Sequence, residues 1–138
     1  MITNAATGTR IDEIANGIYR ISTPVTHVRG GFSYNRYLVL DEAPLLYHTG
    51  PRGMFEETHE APTTVLPVAR LLYVAFSHYE SDESGALNHV LAVAPEAVPL
   101  CARLNAMLNA DPRPARARAR GRRVRPSLRI HDGDALLR

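Results

Sequence analysis

The 138-residue chain has no lysine, a single cysteine and no long apolar run. A lone Cys101 cannot close an internal disulfide, so a reducing, cytoplasmic location is the expectation. No apolar stretch approaches the ~18 residues that span a bilayer, which argues against a membrane role. The polar residues 1–10 lack the apolar segment of a secretory leader. Without lysine, all sixteen basic residues are arginine. With the Ala and Pro usage this suggests a GC-rich coding sequence, which bears on composition and not on function. What is present is ordinary for a water-soluble globular chain: 45% apolar and 22% charged residues, at a length that suits one domain rather than two.

The net charge of +2 is unevenly spread. Residues 1–110 hold 7 Arg against 11 Asp and Glu, a balance of −4, whereas residues 111–138 hold 9 Arg against 3 Asp, a balance of +6. The expected organisation is therefore a folded part over 1–110, an Arg/Ala/Pro-rich flexible segment over 111–129 and a short turn-strand remnant over 130–138. Residues 111–127 contain no aromatic side chain and have little with which to build a core.

Within the folded part, residues 17–21 alternate loosely and predict a short strand. Residues 32–40 (FSYNRYLVL) predict the next. The turn Asp41-Glu42-Ala43-Pro44 leads into a partner strand over 45–48. Residues 54–60 predict a helical turn or two, limited by Pro62. The apolar run 70–77 (RLLYVAFS) predicts a strand buried on both faces. Residues 84–93 predict the clearest helix, with Ala86, Leu87, Val90 and Leu91 on one side. A strand over 98–101 and a helix over 102–109 follow. Alternating strands and helices argue for an α/β layered fold.

The chemistry concentrates just past the buried run. His78, Glu80 and Asp82 stand at i, i+2 and i+4, and in extended backbone alternate side chains point the same way. One imidazole and two carboxylates would then converge, a donor set that suits Fe, Mn or Zn. Sites in α/β folds gather at the carboxyl ends of strands, as here. Glu83 adds a third carboxylate. A plainer reading stands beside this one: Asp82, Glu83 and Ser84 also make a good N-terminal cap for the following helix, with His78 a loop histidine.

The stretch from Tyr73 to Glu83, YVAFSHYESDE, resembles the metallo-β-lactamase superfamily in its flavodiiron-like, oxygen-binding di-iron branch. That branch carries H-x-E-x-D followed by His, where hydrolase members carry H-x-H-x-D-H. Residues 31–39, 45–50 and 132–136 resemble further segments of the same domain. The resemblance implies an α/β fold, the N-terminal half of a metallo-β-lactamase αβ/βα sandwich: a mixed sheet with flanking helices. It implies that His78 and Glu80 ligate one iron and Asp82 the second. Glu83 replaces the family's next histidine, and a carboxylate there can still bind iron. His48 stands where many members have the Asp of a D-T-G turn. The family's remaining ligands come from its second half, so the expectation is an incomplete site holding one weakly bound Fe, Mn or Zn. No stretch of these residues resembles a flavodoxin-like domain, so no FMN site is expected in them.

The function so implied is that of a flavodiiron-like metal-binding protein related to di-iron oxidoreductases acting on oxygen or nitric oxide. Its activity would be reduced or absent, and an electron-donor protein would be its redox partner. A half-sandwich leaves an apolar sheet face uncovered, which predicts marginal stability, a homo-oligomer or a complementary segment. Metal-dependent hydrolysis fits the superfamily but is disfavoured by Glu80 in place of the hydrolase histidine. A non-catalytic module with a basic tail for nucleic acid or acidic partners is the other alternative. The Arg-rich segment lacks stacking aromatics and any reader motif, so nucleic acid is disfavoured. His27 is expected in a loop, His59 on a solvated helix face with Glu56, Glu57 and Glu60, His89 as a core or surface residue, and Cys101 as a buried structural thiol.

Overall fold

The computed structural model describes residues 1–78 and 80–101. The expected helix over 102–109, the Arg-rich segment and the turn-strand over 130–136 lie outside the described residues.

Seven strands form one sheet in sequence order: β1 (Ile2–Asn4), β2 (Thr9–Ala15), β3 (Ile18–Pro24), β4 (Ser33–Val39), β5 (Leu45–Tyr47), β6 (Tyr73–Ala75) and β7 (Val98–Leu100). The first five are antiparallel neighbours, and β5, β6 and β7 run parallel. The parallel strands need crossovers, which α1 (Phe55–Thr63) and the pair α2 (Ser81–Ser84) and α3 (Leu87–Val93) supply. The expected mixed sheet with flanking helices is thus observed.

Strands β1 and β2 were not among the expected elements. They form because Asn16-Gly17 turns β2 back onto β3, with Ala15 opposite Ile18. Gly17 has φ +71°, and a Cβ there would lie 2.9 Å from the Leu40 carbonyl oxygen, so only glycine fits. The apolar run 70–77 yields a strand of three residues only, because Val68–Arg70 close a 3₁₀ turn first, and the run is not buried throughout, since Arg70 and Leu72 are exposed. Pro62 does not stop α1 before it. It sits in the last turn, fully buried, where the missing N–H forgoes a single bond, and its carbonyl accepts from Val65 and Leu66. The single helix expected over 84–93 is two helices, broken at Gly85 and Ala86.

The core fills one face of the sheet. Ile11, Ile21, Leu38, Leu46 and Val74 pack with Ala61 of α1, with Val90 of α3 and with Leu66, Val68, Leu71 and Ala94. Each such buried side chain contributes roughly 1.5–3 kcal/mol of transfer free energy. By register, Ile18, Val39, Leu45, Tyr73 and Val98 form a cross-strand row on the opposite face. Arg20, Tyr37, Tyr47, Ala75 and Leu100 form a second row there. Apart from Arg20 these residues are apolar or aromatic, and all lie outside the core cluster. This is the two-faced sheet expected of a layer in a sandwich.

Candidate metal centre

Because β5 and β6 are parallel, their carboxyl ends emerge side by side and bring residues 48–50 against residues 76–84. His48 N–H donates to the Ala75 carbonyl at 2.7 Å, and Thr49 N–H donates to the Glu83 carbonyl at 2.7 Å. Ala86 N–H donates to the Gly50 carbonyl at 3.0 Å. The crossing is tight: a Cβ on Gly85 would lie 2.3 Å from the Ser81 carbonyl oxygen and 2.8 Å from Arg52 N. His48 takes φ +62°, a left-handed conformation that costs a non-glycine residue roughly 1–2 kcal/mol. Such strain collects where the surrounding structure over-determines a functional loop.

His78, Glu80 and Asp82 share this loop and are all exposed. They are not drawn to one point. The extended backbone that would align them ends at Glu80, whose φ −117° and ψ 152° mark the N-cap of α2, and Asp82 is already helical. Among the described residues no group of three His, Cys, Asp or Glu side chains lies close enough to hold a metal ion. The capping alternative is corrected as well. Glu80 occupies the cap position, its carbonyl accepting from Glu83 N–H, Ser84 N–H and Ser84 Oγ, and no side chain caps the helix.

Glu83 folds back instead. Its Oε2 accepts from Ser77 Oγ at 2.8 Å and from His78 N–H at 2.6 Å. Nδ1 of His48 and Nδ1 of His78 each lie 3.6 Å from one of its oxygens. Burial by itself raises the Glu83 pKa. The His78 and Ser77 hydrogen bonds, with attraction from His48 and His78, outweigh it and hold the carboxyl below its ordinary value. Burial is also the main influence on His48 and, helped by His78, lowers its pKa despite attraction from Glu83 and Asp82. These two directions conflict, since a neutral His48 cannot attract Glu83 as a cation. The geometry decides it: 3.6 Å is too long for a hydrogen bond, and His48 Nδ1 is buried with no hydrogen-bond partner among the described residues. His48 is therefore neutral near pH 7, and Glu83 owes its depression to Ser77 and His78.

Sequence reasoning gave His48 no role in the site. Its clue, a histidine directly after β5, acquires meaning only once β5 pairs with β6. Elsewhere, His27 lies in an exposed loop, and His59 and His89 both contact the Phe55 ring. Glu56 and Glu60 are solvated, but Glu57 is 9% exposed, contrary to the solvated helix face expected for it. It is turned inward with the buried Arg36, whose pKa its charge raises against the effect of burial. Cys101 is only partly buried.

No protein-family profile matches the chain. In sequence it is 31% identical over 83 residues to the flavo-diiron protein FprA2 of Clostridium acetobutylicum, covering 60% of this chain and 21% of that protein. It is 28% identical over 98 residues to a nitric oxide reductase of Moorella thermoacetica, covering 64% and 25%. In structure it superimposes on a mutant of a flavo di-iron protein of Thermotoga maritima with a TM-score of 0.66 at 21% identity, over 72% of this chain and 28% of that one. It also superimposes on a metallo-β-lactamase of Cronobacter sakazakii with a TM-score of 0.60 at 17% identity, over 71% and 36%. The chain has the metallo-β-lactamase fold. Its relatives in sequence and structure include flavodiiron proteins, and it spans about a fifth to a quarter of the length of the curated relatives it matches. Within the metallo-β-lactamase fold, then, the parallel edge of the sheet presents the H-x-E-x-D loop with Glu83 engaged in hydrogen bonds inside it. Among the described residues no helix is long and apolar enough to cross a membrane.

Proposed function

We propose that this chain is a flavodiiron-like metal-binding module in which His78, Glu80 and Asp82 offer donors to one divalent ion, iron by preference. Among the described residues there is no closed set of ligands of the kind that fixes two irons. The observation that carries this reading is the H-x-E-x-D loop at the carboxyl ends of parallel β5 and β6, in a chain similar to flavo-diiron and nitric oxide reductase proteins. One imidazole and two carboxylates are the right donor chemistry, but their arrangement does not fit a preformed centre, because they face solvent without converging. Oxygen or nitric oxide chemistry would require further ligands from a complementary segment or a second copy, and an electron-donor protein. A reducing cytoplasmic setting, consistent with the single cysteine, suits that role.

Anaerobic reconstitution with Fe(II), followed by metal analysis and mass measurement of the same sample, tests the proposal. The expected result is at most one iron per chain, stripped readily by chelator, with no oxygen or nitric oxide consumption. Two irons per chain that survive chelator would refute the incomplete site. Less than roughly a tenth of an equivalent of Fe, Mn or Zn would refute metal binding itself.

A further inference from the structure

Glu83 differs from the other acidic residues of the loop in where its carboxylate goes. Its side chain is 22% exposed, against 66% for His78, and it faces into the protein. Oε2 takes both strong donors, Ser77 Oγ at 2.8 Å and His78 N–H at 2.6 Å, which occupy its two lone-pair directions. Hydrogen bonds to an ionised carboxylate are roughly twice as strong as neutral ones. The backbone of the same residue holds the neighbouring loop: its carbonyl accepts from Thr49 N–H at 2.7 Å and from Thr49 Oγ1 at 3.3 Å. Its own N–H closes the first turn of α2 onto the Glu80 carbonyl at 3.1 Å. One residue thus joins the end of β6, the start of α2 and the loop after β5.

We propose that Glu83 is a positioning residue and not a metal ligand: its carboxylate clamps Ser77 and the His78 backbone, and so fixes where the H-x-E-x-D loop leaves the sheet. Ligation through Oε2 would require breaking two charge-assisted hydrogen bonds. Ligation through Oε1 alone would be monodentate, with the His78 imidazole already 3.6 Å away. This deepens the metal-binding reading, but the clamp exists whether or not an ion is taken up.

Amide exchange of His78 followed by NMR, together with Zn2+ binding by equilibrium dialysis, tests it on the full chain. Glu83→Ala should speed His78 exchange by roughly tenfold or more. Glu83→Gln, which keeps an acceptor oxygen, should recover most of the protection. Both should bind Zn2+ within about threefold of the parent, because the carboxylate hydrogen-bonds none of the proposed donor atoms; removing a group that does support a ligand typically costs on the order of tenfold to a hundredfold. Equal loss of Zn2+ affinity in both variants with unchanged His78 exchange would overturn the proposal. Should Glu83→Ala fail to fold, Ser77→Ala keeps the carboxylate and removes one of its donors. It should leave His78 protection lower and Zn2+ affinity no weaker; unaltered protection there overturns the clamp. If the parent binds no Zn2+, the metal reading fails while the exchange arm still decides on the clamp.

Discussion

Replacing Arg36 by methionine should change global stability by no more than about 2 kcal/mol, although Arg36 is the largest fully buried side chain of the sheet. Its Nη2 donates to Thr23 Oγ1, and its Nη1 donates to Thr58 Oγ1 at 2.8 Å. Thr58 Oγ1 lies 2.8 Å from both the Thr49 and the Met54 carbonyl oxygens, and its single proton serves one of them at a time. Burial holds the guanidinium pKa down to about 10 against the attraction of Glu57, which amounts to about 3 kcal/mol against the cation. Two hydrogen bonds from a charged donor offset that by roughly 3–6 kcal/mol. The methionine variant removes both sides of this balance and keeps most of the volume, while Glu57 loses its counter-charge, so a small net loss is expected. Thr58→Val is the contrasting perturbation: it leaves the buried cation in place with one partner gone and should cost about 2–3 kcal/mol. In the Arg36→Met background the same change should cost at least about 1 kcal/mol less. Urea unfolding of the four proteins measures the cycle. Equal Thr58→Val costs in both backgrounds, or a loss above about 4 kcal/mol for Arg36→Met alone, would refute the balance drawn here.

Gly50 has φ +74° and a Cβ there would sit 3.2 Å from Arg36 Nη1, so Gly50→Ala should destabilise by about 1–3 kcal/mol in the same urea assay. Leu46 is fully buried between Leu38 and Val74 in the core, and Leu46→Ala should cost about 2–5 kcal/mol, read as a fall in thermal midpoint. For the metal-free protein, Glu83 is held below its ordinary 4.5, so the folded state favours its carboxylate. The stability this confers is complete above 4.5 and is lost as the pH falls through the lower folded value. Urea midpoints taken from neutral to acid pH should therefore drop more steeply for the parent than for Glu83→Gln; parallel curves would contradict the assignment.

Much of the sheet was legible in local pattern. The aromatic and branched residues of β4, the Asp41–Pro44 turn and the short β5 predict the hairpin that forms. The hairpin of β2 and β3 was equally available, since Asn16-Gly17 between apolar-containing segments is a strong turn signal. Apolarity alone could not show where β6 begins: of the 3₁₀ turn Val68–Arg70 only Val68 is buried, and strand pairing starts at Tyr73. Gly85 was the signal for the helix break, and its lack of a Cβ also lets the chain pass close to the backbone at Pro51 and Arg52, a tertiary approach that local pattern does not show.

The site shows a sharper limit. Its place was readable, because a buried run followed by polar donors puts those donors at a strand end. Its geometry was not, because the convergence of His78, Glu80 and Asp82 presumes three alternating extended residues. Ser81-Asp82-Glu83-Ser84 has the composition of a helix first turn, and that local preference prevails once the Glu80 carbonyl accepts from Glu83 and Ser84. The helix then carries Asp82 away from His78 and swings Glu83 back onto Ser77 and the His78 backbone. Helix formation and ligand convergence thus make opposite demands on Asp82. An ion held by His78, Glu80 and Asp82 would have to unwind the start of α2 or recruit donors from outside the loop. Only the first route makes metal affinity depend on how firmly α2 is closed.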